Sequence, residues 1–162
     1  MKKIAFLLCS FVLVIACTKD KNSPQNSSIQ YQVNGTQIEI DGGMDTTQRN
    51  LATGSFYGCY VTKSQASNFY IISGEGPTGS ILLALNTSGQ LQTKTYREGE
   101  ASVSLAVNQV PYGVLDPDDS ITVTINRYSN GTIDGAFSGA LTDLNEDKIV
   151  VTNGHLNNLK IY

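Results

Sequence analysis

Asp143, Asn145 and Asp147 have the D-x-N-x-D spacing with which a calcium loop begins, where alternate side-chain oxygens converge on a hard cation. The pattern then departs from that loop, with Lys148 at the sixth position in place of glycine and Gly154 at the twelfth in place of glutamate. A polar hairpin turn accounts for the same residues. Asp116-Pro117-Asp118-Asp119 reads as a second acidic turn, with Pro117 fixing φ. The two loops would share a cation only if the fold brought them to one end of the domain. Nucleophilic chemistry has as little support. Cys59 lies in the run Ser55-Phe56-Tyr57-Gly58-Cys59-Tyr60-Val61 and reads as a small buried hydrophobe. The one histidine, His155, stands far along the chain with no second metal ligand at a useful spacing. Gly74-Glu75-Gly76-Pro77-Thr78-Gly79 is rich in glycine but has no helix behind it to receive a phosphate, so it reads as a hairpin loop. No G-x-S-x-G elbow is present and no cofactor is implied. Paired carboxylates for glycoside hydrolysis meet in space rather than in sequence and are left open.

The elements that position these residues are strands. From Ile29 onward apolar residues recur with period two and turn residues interrupt them at short intervals, the pattern of an antiparallel β-protein. Ile29-Gln30-Tyr31-Gln32-Val33 and Thr36-Gln37-Ile38-Glu39-Ile40 flank Asn34-Gly35, a two-residue hairpin turn that needs positive φ. Similar runs at 54–61, 68–73, 80–85, 101–107, 120–127, 132–141, 148–152 and 156–161 bring the total to about ten strands. Residues 45–51, between Gly42-Gly43 and Gly54, read as a loop. In Ile121-Thr122-Val123-Thr124-Ile125 the aliphatic residues share one face, so each sheet is half-buried. The expected fold is an antiparallel β-sandwich, with a lipocalin-like β-barrel as the alternative; only a barrel with an unfilled interior would carry a small apolar ligand inside. In 132–141, Gly135 and Gly139 flank Phe137 on one face and leave space for its ring or for a facing strand. Asn153-Gly154 offers a positive-φ bend that ends or re-aims the preceding strand.

Upstream of this domain, Lys2 and Lys3 precede an apolar run at 4–16, which is too short to span a bilayer that requires about 20 residues. The run ends in Val14-Ile15-Ala16-Cys17, which resembles the lipobox of bacterial lipoproteins. That resemblance implies cleavage before Cys17 and a lipid on Cys17. The expected organisation is a signal peptide at 1–16, the lipidated cysteine and a flexible polar tether at 17–28, and one domain at 29–162. Loss of Lys2 and Lys3 moves the formal charge from −3 to −5. An acidic chain without a Lys/Arg cluster argues against nucleic acid and against electrostatic lipid binding, so the acyl chains alone would hold the membrane. With Cys9 removed and Cys17 acylated, Cys59 has no partner for an intramolecular disulfide.

Gly135-Ala136-Phe137-Ser138-Gly139-Ala140-Leu141, followed by Val151-Thr152-Asn153-Gly154-His155-Leu156, is similar to a pattern in small all-β lipoproteins of the Bacteroidota type. There a G-x-F-S-G-x-L strand pairs with an I-T-N-G-x-F strand; here Leu156 stands in place of the phenylalanine. Thr95-Tyr96 is similar to a G-T-Y segment of the same proteins, with Lys94 replacing the glycine. The resemblance covers 68–162 and carries over no catalytic residue. It implies a cell-envelope protein held at the outer membrane, on the periplasmic or the surface face. Asp45-Thr46-Thr47 and Asp119-Ser120-Ile121 resemble the O-glycan attachment sites of such bacteria. The expected role is a non-enzymatic binding or envelope accessory module with a glycan or protein ligand. The alternatives are a lipocalin-like carrier and a hydrolase with a dispersed carboxylate pair.

Overall fold

A computed structural model describes residues 27–49, 55–64 and 68–162. The signal peptide, Cys17 and the tether up to residue 26 lie outside the described residues. Ser27 and Ser28, read as the end of the tether, are buried, and Ser28 already opens the first strand.

Among the described residues the chain forms twelve strands and no helix. They are β1 (Ser28–Val33), β2 (Thr36–Asp41), β3 (Asp45–Arg49), β4 (Phe56–Lys63), β5 (Phe69–Glu75), β6 (Gly79–Asn86), β7 (Thr95–Tyr96), β8 (Ala101–Val107), β9 (Val110–Gly113), β10 (Ser120–Ser129), β11 (Thr132–Thr142) and β12 (Lys148–Lys160). One antiparallel sheet contains all of them in the order β2-β1-β12-β11-β9-β8-β6-β5-β4-β3, with β10 on β11 and β7 on β10. β11 is the branch point. β10 covers one of its edges as far as Ala140, and beyond that Thr142 pairs with Gly113 of β9.

The sheet curls until its ends meet. Ile29 Cδ1 of β1 and Ile40 Cδ1 of β2 stand 2.9 and 3.1 Å from the position of a Cβ on Gly74 of β5, so the first hairpin packs across the core onto β5. β4 closes the approach: the Cys59 N–H donates to the Gly42 carbonyl at 2.8 Å, and the Tyr162 N–H donates to the Val61 carbonyl at 2.9 Å. Bulges drive the curl, because one extra residue on a strand bends it and raises its twist. β12 has two such points, where two of its residues span one position on β11: Phe137 to Gly139 opposite Gly154 to Val151, and Ile133 to Gly135 opposite Leu159 to Leu156. Asn153 and Asn158 take positive φ there, 51° and 49°. Asparagine tolerates that conformation better than most residues.

The interior is filled by side chains. Tyr31, Ile72, Leu83, Leu105, Leu141 and Leu156 are among those fully buried, and burial of one such aliphatic side chain stabilises by about 1.5–3 kcal/mol. The expected antiparallel all-β fold is present, as one curled sheet around a packed core. Several details differ from the sequence reading, among them the short strands β7 and β9, which no expected run marked. Residues 148–152 and 156–161 are not two strands, because Asn153 bulges a single strand without ending it. Residues 45–49 are a strand rather than a loop; four of the five are exposed, so no apolar alternation marks them, and they are held by pairing of Asp45 with Tyr57 and Arg49 with Phe56.

Candidate functional site

Two hairpin ends and the start of β4 enclose a cleft of about 820 Å³. Its polar lining residues are Glu75, Thr78, Ser80, Asn108 and Gln109, and Tyr57 lines it as well. The β5–β6 turn is tight, with the Gly76 N–H donating to the Gly79 carbonyl at 3.0 Å. At the β8–β9 turn Asn108 and Gln109 have φ of 49° and 67°, the two positive angles of a type I′ turn. The comparable turns at Asn34-Gly35 and Asn130-Gly131 place glycine second. Gln109 takes the left-handed conformation with a full side chain, at a cost of about 1–2 kcal/mol.

Glu75 is 4% exposed and pairs in the ladder with Gly58 and Ser80. Behind the cleft lies Tyr31, whose Oη is 3.5 Å from the position of a Cβ on Gly79. That hydroxyl is the one buried side-chain polar atom among the described residues with no hydrogen-bond partner. Burial, then the charges of Cys59 and Glu75, hold the Tyr31 phenol well above its ordinary range.

The two acidic loops do meet. The Thr142 hydroxyl donates to Asp119 Oδ1 at 2.7 Å, and Lys148 Nζ stands 3.6 Å from Asp116 Oδ2. Their carboxylates serve their own turns. Asp143 Oδ1 accepts the N–H groups of Asn145 and Asp147, each at 2.8 Å, and Asp143 Oδ2 accepts Asn145 Nδ2 at 3.2 Å. Asp119 Oδ2 accepts the N–H groups of Leu115 and Asp116 at 2.9 Å. Asp147 contributes backbone N–H and carbonyl bonds that close its turn onto Asp143. Among the described residues, no three His, Cys, Asp or Glu side chains are grouped as metal ligands.

Cys59 is fully buried, its thiol donating to the Ile40 carbonyl at 2.8 Å, and burial pushes its pKa up to about 12. His155 is exposed on β12 beside a shallow trough shared with Thr122, Thr124 and Ser138, so it is not brought to Cys59. Of the two uses expected for Gly135 and Gly139, it is close approach of a neighbouring strand that the structure has, with the Thr124 and Ser120 carbonyls of β10 against them; the Phe137 ring lies against Gly154. Asp45 Oδ1 accepts the N–H and hydroxyl of Thr47, and both Thr46 and Ser120 are exposed.

Two carboxylates share a separate cleft of about 320 Å³, Glu98 and Glu100. Both are exposed, and Glu100 pairs with Lys94 at 2.5 Å. The 820 Å³ cleft escaped the sequence reading because its walls come from three separated segments. Its one sequence signal was glutamine at a turn position that two other hairpins fill with glycine. No family model, curated protein or solved structure matches the chain.

Proposed function

We propose that this chain is an exported lipoprotein, anchored to the outer membrane by a lipid on Cys17, whose β-domain is a non-enzymatic module that binds a glycan in the cleft between the β5–β6 and β8–β9 hairpins. The observation that carries the binding reading is the cleft's lining: a tyrosine together with residues bearing hydroxyl, amide and carboxylate groups, most of them on two hairpins. Sugars are bound by such a set, an aromatic ring against the apolar face of the pyranose and polar groups around its hydroxyls. The filled interior supports a surface site over a lipocalin-like cavity. Glu98 and Glu100 are exposed and Glu100 is ion-paired with Lys94, which supports the non-enzymatic reading, since a general acid is ordinarily held in an apolar pocket.

The test is a glycan array probed with the full lipoprotein in detergent micelles, alongside Tyr57→Ala and Gln109→Ala. The expected result is saturable binding that each variant weakens about tenfold or more, equivalent to about 1.4 kcal/mol, with an unchanged melting temperature. Binding that neither variant alters would move the ligand away from this cleft. An array with no bound glycan would overturn the glycan reading.

A further inference from the structure

We propose that the domain rests on the lipid surface that holds its anchor, through the end of the sheet at which the chain from Cys17 joins it. The inference rests on the reading of Cys17 as the lipid-bearing residue. Ser27 is tied into that end: its hydroxyl donates to the Asn158 carbonyl at 2.9 Å, and its carbonyl accepts the Gly42 N–H at 2.8 Å. The residues after β12 complete the same end, with the Ile161 N–H donating to the Gly131 carbonyl and the Tyr162 N–H to the Val61 carbonyl. Between Cys17 and Ser27 the chain spans at most about 35 Å. The entry end is therefore kept near the bilayer.

Phe69, Tyr128 and Tyr162 are the exposed aromatic residues among those described, and all three stand at this end. Tyr128 shortly precedes the Asn130-Gly131 turn, Phe69 opens β5 with its carbonyl accepting the Ser64 N–H, and Tyr162 follows β12. Tyrosine suits a lipid–water boundary because its ring is apolar while its hydroxyl stays hydrated. Lys160 Nζ stands 4.8 Å from the Tyr162 ring centroid, and Lys63 Nζ stands 5.7 Å from that of Tyr70. Both lysines are exposed. Their stems can lie along apolar surface while the ammonium reaches a headgroup.

The opposite end has the wrong charge for lipid. β11 runs from the Asn130-Gly131 turn to the loop at 143–147, a length of about 35 Å. Leu115 and Leu144 are exposed there, but Asp118, Glu146 and Asp147 are exposed on the same two loops, and Lys148 is already paired with Asp116. An anionic leaflet repels such an end. At the entry end Arg127 pairs with Asp134 and Lys94 with Glu100, which leaves Lys63 and Lys160 over their tyrosine rings. The fold thus sorts by position what the net charge of the chain conceals.

The chain has no tryptophan, so one introduced at either end reports alone. The experiment reconstitutes the full lipoprotein, as Tyr162→Trp, Tyr128→Trp or Leu144→Trp, into vesicles of phosphatidylcholine and phosphatidylglycerol with and without bromine on the acyl chains. Tryptophan emission is read in each. The expected result is that Tyr162→Trp and Tyr128→Trp lose most of their emission to bromine while Leu144→Trp keeps it. If one tyrosine variant fails to fold, the other decides alone. Quenching of Leu144→Trp, or of none of the three in protein that floats with the vesicles, overturns the docking and leaves the anchor standing. Protein that does not float with the vesicles overturns the anchor reading and the docking with it.

Discussion

The ring of Phe137 lies against Gly154, its partner across the β11–β12 ladder, with Cδ1 and Cδ2 each 2.7 Å from the position of a Cβ on that glycine. The missing side chain lets Phe137 lean across β12 toward Tyr31 on the next strand, with ring centroids 5.7 Å apart and planes tilted by 53°. The bulge at Asn153 belongs to the same arrangement. Tyr31 is the β1 residue between Gln30 and Gln32, opposite the point where β12 carries its extra residue. Strand curvature and aromatic packing are therefore set together at one place in the sheet.

Gly154→Ala should destabilise the domain by about 3 kcal/mol, the upper end for an extra methyl forced into a packed core, because a Cβ there would also stand 2.4 Å from the Phe137 carbonyl oxygen. Its φ is not in the left-handed region, so the penalty is one of space. Asn153→Gly should change stability by less than about 1 kcal/mol, because glycine accepts the φ of 51° and only the exposed amide bond to Gln32 is lost. Urea unfolding of both variants checks this. A neutral Gly154→Ala would show that Phe137 does not depend on that gap.

Asp119 should make stability fall at low pH. Burial alone would raise its pKa, but the Asp116 N–H, the Thr142 hydroxyl, the Leu115 N–H and the Lys148 charge together hold it below the ordinary carboxylate range. The unfolded chain, with an aspartate pKa near 3.9, therefore takes up protons before the folded one does. The stabilisation is complete above the unfolded value and disappears as the pH falls through the folded value. Asp119→Asn should cost about 2 kcal/mol at neutral pH and flatten the decline in melting temperature below about pH 4. An unchanged slope would assign the acid sensitivity to other groups, such as Asp134, which its ion pair with Arg127 also holds low.

Cys59 should be inert in the folded protein. A thiol pushed up to about 12, with no exposed surface, offers almost no thiolate at neutral pH. A maleimide reagent should label it only in denaturant, with Cys59→Ala as the control. Rapid labelling under native conditions would mean that β4 opens readily.

The anchor assignment makes a separate prediction. Cells given an alkyne-bearing fatty acid should label the wild-type chain and not Cys17→Ala, which should leave the membrane fraction. Label retained on Cys17→Ala would place any lipid elsewhere. A protease that cannot cross the outer membrane, added to intact cells, then distinguishes the surface face from the periplasmic face.

Much of the fold was legible because alternation and turn chemistry act locally. Asn34-Gly35 marked the first hairpin, and its φ values of 48° and 83° are those the turn requires. The run 101–107 gave β8 with its observed bounds. Asn153-Gly154 marked a place where the backbone turns left-handed, but a turn and a bulge share that local signature. What decides between them is whether β1 and β11 continue alongside, and that information lies more than a hundred residues away in the case of β1. β3 carried no periodicity because water covers most of it. The cleft was illegible for a related reason: Tyr57, Glu75 and Gln109 belong to different hairpins and meet only when the sheet curls.

Gln109 supplies the sharpest test of whether that cleft was shaped for a ligand. Its φ of 67° is a conformation that glycine reaches freely and glutamine does not. Gln109→Gly should therefore raise stability by about 1 kcal/mol while removing a polar side chain from the cleft wall. Strain kept at a residue that lines a pocket points to a use for that side chain. The expected outcome is a more stable protein with weaker glycan binding, read by urea unfolding and by the same array. A variant that is more stable and binds as well would show the glutamine to be dispensable there. One no more stable than the wild type would show that the turn accommodates Gln109 without strain.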